Sequence, residues 1–225
     1  MCGRFGQAGS RDAVMARFIV EEMPDLLPPR YNIAPSQEAA VVLERNGRRA
    51  LSFFRWGLVP SWAKDAKIGY KLINARAESV ADTPAFRNAF ARRRCLVVAD
   101  GFYEWKPSPS GRGKQPYRFI VRDGELFAMA GLWEAWKPPE GDLLHSFTII
   151  TTRANECVAP CHERMPVILD PEEEARWVDA EYHDREALSR LLAPYPADAM
   201  RGYPVSTLVN SPANDVPECI VEVEV

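Results

Sequence analysis

Several features are missing from this chain, and each absence removes a class of function. No apolar run approaches the ~18–20 residues that span a bilayer as a helix. The first residues lack the cationic and apolar regions of a secretory signal. A soluble, cytoplasmic protein with no membrane partner is therefore expected. Excess positive charge is also absent: the formal net charge is −3. That excludes a broadly basic nucleic-acid coat and leaves local clusters as the route to any nucleic acid. No glycine-rich phosphate loop or dinucleotide fingerprint occurs, and no stretch recurs with a period of roughly twenty to fifty residues. Cysteine is scarce and odd in number, at Cys2, Cys95, Cys157, Cys161 and Cys219, which argues for free thiols. Cys157, Cys161 and His162 stand together without the second ligand pair of a zinc site. Buried small hydrophobes are the better reading of these cysteines, and neither a metal nor an organic cofactor is expected.

What is present suffices for a sizeable core: 47% of the 225 residues are hydrophobic, enough for one large domain or two small lobes. Ser10 reads as the N-cap of a short helix over Arg11–Phe18. Ala39–Leu43 and Arg49–Trp56 read as strands around Asn46-Gly47, the strongest hairpin signal here. Arg87–Arg94 reads as a helix whose closing arginines suit its C-terminal dipole. Cys95–Ala99 reads as an apolar strand, followed after Asp100-Gly101 by an extended Phe102–Trp105 and a flexible loop over Lys106–Gln115. Tyr117–Val121 and Leu126–Leu132 suggest a second hairpin around Asp123-Gly124, and Ser146–Thr152 a buried strand. Pro171–Trp177 and Asp184–Leu192 read as helical surface segments, and Tyr203–Val209 as a last strand. Frequent hairpins without regular helix–strand alternation predict an α+β fold: a largely antiparallel β-sheet or barrel-like core with short peripheral helices.

The most pointed chemistry lies in Met1–Phe5 (MCGRF). A small second residue is what methionine removal tolerates, so a mature chain beginning at Cys2 is expected. An N-terminal cysteine carries an amine and a thiol on adjacent carbons, with ordinary pKa values near ~7.7–8.0 and ~8.5. With an aldehyde, the amine forms an imine and the thiol closes on it to a five-membered thiazolidine. An internal cysteine cannot do this, because its nitrogen is an amide. A cysteine at this position also arises by chance, so the rest of the chain must support it.

Other candidates carry two readings each. RYNIAP (Arg30–Pro35) is either a rigid turn into a strand or a ligand contact. Trp62, in a loop with Lys64 and Lys67, either stacks on a base or covers a satellite core. Asn74, Arg76 and Glu78 alternate in INARAES (Ile73–Ser79) and would share one face of an extended segment. Glu104 sits among three aromatics in FYEW (Phe102–Trp105). Desolvation there would raise its pKa and make it a proton-transfer group, unless it points to solvent. His162, at a strand entry beside Arg164, is either structural or an acid/base group. Arginines gather near these residues at Arg4, Arg30, Arg76, Arg153 and Arg164.

MCGRF, RYNIAP, WGLVPSWAK, INARAE, DGFYEW, CHERMP and PVS (Pro204–Ser206) occur in that order. Together they resemble the SRAP family, the SOS response-associated peptidases or abasic-site-processing proteins, over nearly the whole chain. The resemblance implies a single SRAP domain over 1–225, of the bacterial type without the longer eukaryotic C-terminal extension. It implies covalent capture of abasic sites in single-stranded DNA during the SOS response, shielding the lesion. It carries the nucleophile onto Cys2 and catalytic roles onto Asn74, Glu104 and His162. It places phosphate contacts on Arg4, Arg76 and Arg164, and an aromatic wedge on Trp62; the second aromatic of some members falls on Ala63. DNA with abasic sites is the implied partner, nucleoid association the implied location when bound, and self-removal of Met1 the implied peptidase-type step. Two other functions fit the residues: a cysteine peptidase built on Cys2, His162 and Asn74, and a noncovalent single-strand-binding module using Trp62 and the arginines.

Overall fold

The computed structural model describes residues 2–107 and 113–224. In chain order these form β1 (Phe5–Gln7), α1 (Arg11–Phe18), β2 (Arg30–Ile33), β3 (Glu38–Arg45), β4 (Arg48–Trp56), β5 (Asn74–Arg76), α2 (Arg87–Arg92), β6 (Arg94–Ala99) and β7 (Gly101–Pro107). There follow β8 (Lys114–Val121), β9 (Phe127–Trp136), β10 (Leu144–Arg153), β11 (Arg164–Pro166), β12 (Ile168–Leu169), α3 (Glu174–Val178), α4 (Arg185–Arg190) and β13 (Met200–Pro204). The fold is α+β with mostly antiparallel sheets and short helices, as the sequence predicts. Among the described residues no helix is long and apolar enough to cross a membrane.

The centre is a closed ring of strands. β4 pairs with β3, β3 with β6, β6 with β9 and β9 with β10, all antiparallel. β10 then closes the ring by pairing parallel to β4 through Ser146 opposite Arg55 and Phe147 opposite Trp56. Closure removes the open edges of the five strands. A second, wholly antiparallel sheet runs β13–β8–β7–β1–β2.

The ring is apolar on both faces, which is why its strands read as continuous hydrophobic runs rather than alternating ones. On β3, Ala39, Val41 and Leu43 join one core, and Ala40 and Val42 join the other. The first core packs the ring against Phe5, Phe102 and Phe119 of the second sheet. The other packs it against Val14 and Phe18 of α1, Phe90 of α2, Trp177 of α3 and Leu188 of α4. Gln7 ties the two sheets together: its amide donates to the Ala40 and Val98 carbonyls, each at 2.8 Å, and accepts from the Ala40 N–H at 2.9 Å.

Local signals produced the local structure. The Ser10 hydroxyl accepts from the Ala13 N–H at 3.2 Å and starts α1 at Arg11. Asn46 and Gly47 take positive φ values of 53° and 75°, the geometry that a two-residue hairpin between β3 and β4 requires. Five expectations are corrected. β8 and β9 do not form a hairpin. The turn at Asp123-Gly124 exists, but β8 pairs with β7 and β13, whereas β9 pairs with β6, β10 and β12. Arg94 does not close a helix; it opens β6, buried, with its guanidinium donating to the carbonyls of Phe90, Ala91, Trp177, Asp179 and Tyr182. The segment around α3 is not merely surface, since Trp177 is wholly buried. The last strand ends at Pro204, and Thr207–Asn210 is a 3-10 turn. The loop expected over Lys106–Gln115 is largely strand at both ends, and its residues 108–112 lie outside the described residues.

Candidate active site

Strand β10 exchanges both of its neighbours along its length, and the site forms where it does so. On one side, β4 accompanies its first half. The chain then leaves the ring and returns as β5, which runs parallel to the second half with Asn74 opposite Ile149 and Arg76 opposite Thr151. On the other side, pairing with β9 ends at Ile149, and β11 takes over with Arg164 opposite Arg153. Asn74, Arg76, Arg164 and the loop holding His162 therefore gather around one end of β10.

The second sheet brings the remaining groups. β1 and β7 are paired with Phe5 opposite Phe102, and the Tyr103 N–H donates to the Arg4 carbonyl at 2.9 Å. The pairing thus continues past β1 and carries Cys2 alongside Glu104. The Asn74 side-chain amide closes the arrangement by donating from Nδ2 to the Cys2 carbonyl at 2.8 Å. The Asn74 Oδ1 is buried and has no donor among the described residues.

Cys2 is fully buried. Burial, and next the nearby Glu104 charge, push its thiol pKa far above the ordinary range. Glu104 is itself buried, and desolvation raises its carboxyl pKa to about 7, against a pull downward from positive charge that includes Lys114. Glu104 also acts on the neighbouring Cys161, whose thiol burial raises to about 11. His162 is half-buried. Its Nδ1 accepts from the Arg164 backbone N–H at 2.9 Å, which leaves the proton of the neutral ring on Nε2. Burial lowers its pKa, with Lys114 adding to the effect. The field of one lysine thus reaches both candidate proton carriers.

The four expected DNA-binding residues occupy different environments. Arg76 is exposed. Trp62 stands 58% exposed in the excursion between β4 and β5, so it covers no satellite core. Arg164 is held by a forked pair with Glu78, at 2.6 and 2.9 Å, and by the Thr151 carbonyl at 2.5 Å. Glu78 lies in the turn after β5 rather than on the strand, and the Arg164 hydrogen bond holds its carboxyl below the usual range. Arg4 is buried, with Nη1 donating to Asn32 Oδ1 at 2.8 Å and to the Val209 carbonyl at 2.5 Å.

RYNIAP is tied to the C-terminal segment. Asn32 is buried and donates to the carbonyls of Val209, Ser211 and Asn214, while Arg30 pairs with Asp215. The sequence does not single out Lys114 for the site, and it marks Cys161 within CHERMP and beside His162 but not as a neighbour of Glu104. Lys114 carries no local signal, because only the β7–β8 register brings it near Glu104, and the turn before His162 does the same for Cys161.

The chain matches the family model "SOS response associated peptidase (SRAP)" over residues 1–212. It is 45% identical over 225 residues to the abasic site processing protein YoqW of Bacillus subtilis (strain 168), covering 98% of this chain and 99% of that one. It is 38% identical over 230 residues to the abasic site processing protein HMCES of Gallus gallus, covering 87% of this chain and 67% of that one. An X-ray crystal structure of a protein from Bacteroides thetaiotaomicron superposes with a TM-score of 0.88 at 27% identity, covering 99% of this chain and all of that one. A barrel-centred α+β fold with this cysteine-led site defines the class, and the chain belongs to the SRAP family.

Proposed function

We propose that this protein processes abasic sites in DNA, acting on single-stranded DNA by forming a thiazolidine through Cys2 once Met1 has been removed. Met1 lies outside the described residues. The observation that carries the proposal is the Asn74 amide on the Cys2 carbonyl at 2.8 Å, in a site where a half-titrated Glu104 stands beside the same cysteine. The family, and relatives named for abasic-site processing, support it.

The chemistry follows from the groups present. An abasic deoxyribose is mostly a closed hemiacetal. The Nε2–H of His162 hydrogen-bonds to its ring oxygen, and as the C1′–O4′ bond breaks the proton of the anomeric hydroxyl is relayed through Glu104 to that oxygen, leaving the open aldehyde and a 4′-hydroxyl. The Cys2 amine attacks C1′, proton transfers through Glu104 turn the hydroxyl into departing water, and an imine remains. The Cys2 sulfur then adds to the imine carbon as its proton passes to the nitrogen. Aminothiol and aldehyde thus yield a thiazolidine and one water. Asn74 fixes the Cys2 backbone during these steps. Ring closure removes the imine, which would otherwise acidify the neighbouring hydrogen and promote strand cleavage. The product is a shielded lesion in the DNA-damage response, formed in the cytoplasm on the nucleoid.

A cysteine peptidase acting in trans is the weaker reading. Its nucleophile would be a thiolate, which requires a depressed pKa, whereas burial raises that of Cys2. The thiazolidine route begins with the amine and asks the thiol only to close a ring. Arg76 and Arg164 are proposed as phosphate contacts and Trp62 as the base wedge. Arg4 is proposed as a strut that locks β1 to Asn32, because its Nη1 is engaged inside the fold. A denaturing gel with an oligonucleotide containing one abasic site tests the proposal. Wild type should give a shifted band that survives denaturant, and Cys2→Ala should give none. A shifted band of equal yield from Cys2→Ala would contradict it.

A further inference from the structure

The excursion between β4 and β5 has a property that the Cys2 chemistry does not require. It displays two large aromatics to solvent, Trp62 at 58% and Tyr70 at 61% exposure. Exposure of this kind is common on loose loops, but this one is anchored along its length. The Gly57 N–H donates to the Phe147 carbonyl at 2.8 Å, the Leu58 N–H to the Leu72 carbonyl at 3.1 Å, and the Trp136 indole to the Ala63 carbonyl at 2.7 Å. Gly57 and Gly69 meet backbone to backbone: a Cβ on Gly69 would stand 2.6 Å from the Gly57 oxygen. Asp65 accepts from the Lys67 N–H at 2.9 Å and starts the 3-10 turn Ala66–Lys71, which carries Tyr70. The ring is therefore presented on an ordered support, at small entropic cost on binding.

Its surroundings indicate what it is presented to. The Arg55 guanidinium lies over the Tyr70 ring, 5.4 Å from its centroid. Lys64, Lys67 and Lys71 are exposed in the same excursion, with Asp65 the only acidic residue between Gly57 and Ile73. In a chain of net charge −3, this is a local cationic surface bearing exposed rings. That combination suits unpaired nucleic acid, whose bases stack on aromatics while its phosphates meet cations.

We propose that Tyr70, backed on one face by Arg55, is a second stacking platform that takes one unpaired base of the bound strand on its other face, separately from Trp62. This rests on the single-stranded DNA reading above. Its test omits the covalent chemistry. The probe is a fluorescent single-stranded oligonucleotide carrying a tetrahydrofuran abasic analogue, which has no aldehyde, and the readout is equilibrium anisotropy. Tyr70→Ala is expected to weaken binding by roughly 5- to 150-fold, the cost of losing one stacked base, and Tyr70→Phe to stay within about twofold of wild type. The melting temperature should be unchanged, since the ring is exposed. Wild-type affinity in Tyr70→Ala, or a loss in Tyr70→Phe equal to that in Tyr70→Ala, would overturn this platform and leave the DNA reading standing. No binding by wild type would overturn both.

Discussion

Burial lifts the Glu104 carboxyl to about 7, so near neutral pH it is divided between acid and carboxylate. A group in that state can move protons in both directions. In the unfolded chain a glutamate ionises near ~4.3. Between that value and about 7, the folded chain holds a proton that the unfolded chain has released. Its contribution to stability therefore falls as pH rises through this window and is constant above it. Glu104→Gln stays neutral and should abolish that part of the slope, read as melting temperatures from about pH 5 to about pH 8. It should also slow single-turnover adduct formation by ~10²–10⁴-fold. A wild-type rate with the slope intact would remove Glu104 from the mechanism. The environment of Glu104 was legible because FYEW surrounds a carboxylate with rings. That of Arg94 was not: beside Arg92 and Arg93 it looks like one of three helix-end cations. Only the fold brings the carbonyls of Trp177, Asp179 and Tyr182 to it.

Among the elements, β10 organises the site by exchanging β4 for β5 on one side and β9 for β11 on the other. The alternation in INARAES correctly placed Asn74 and Arg76 two apart on a strand, and Asn46-Gly47 correctly joined β3 to β4. Such signals are local. A turn at Asp123-Gly124 cannot say that the strands around it join different sheets, because that depends on pairings with β6, β7, β10 and β13 formed elsewhere in the chain. Arg4 shows the same limit: nothing beside Cys2 in the sequence says that its guanidinium donates to Asn32 and to the Val209 carbonyl. Two arginine variants should therefore behave differently. Arg76→Ala should reduce the magnitude of the log–log salt slope for single-strand binding by roughly 0.7. Arg4→Ala should leave that slope unchanged and lower stability by about 1.5–3 kcal/mol, the range for a hydrogen-bonded charged group. Slopes reduced equally in both variants would return Arg4 to the phosphate contacts.

At the scale of the molecule, a chain of net charge −3 that acts on a polyanion must confine its attraction to one surface. Arg76, Arg164 and the lysines of the β4–β5 excursion are the proposed surface. The cores on the two faces of the ring differ: the one on the helix side packs the ring against the helices, and the one on the second-sheet side includes Cys2 itself. The ordered motifs made the family legible, and four of them, MCGRF, INARAE, DGFYEW and CHERMP, carry Cys2, Asn74, Glu104 and His162. The burial of Cys2 was not legible, since it depends on β1 being sandwiched between β2 and β7. The central claim is that the amine of Cys2, not its thiol, makes the first bond. Intact mass after incubation with an abasic-site oligonucleotide tests this most directly, comparing the processed chain with one bearing an uncleavable N-terminal extension. The processed chain should begin at Cys2 and give an adduct equal to protein plus DNA less one water, stable to heat and denaturant. The extended chain should bind the strand yet give no such adduct. The same stable adduct, formed at the same rate by the extended chain, would contradict the claim.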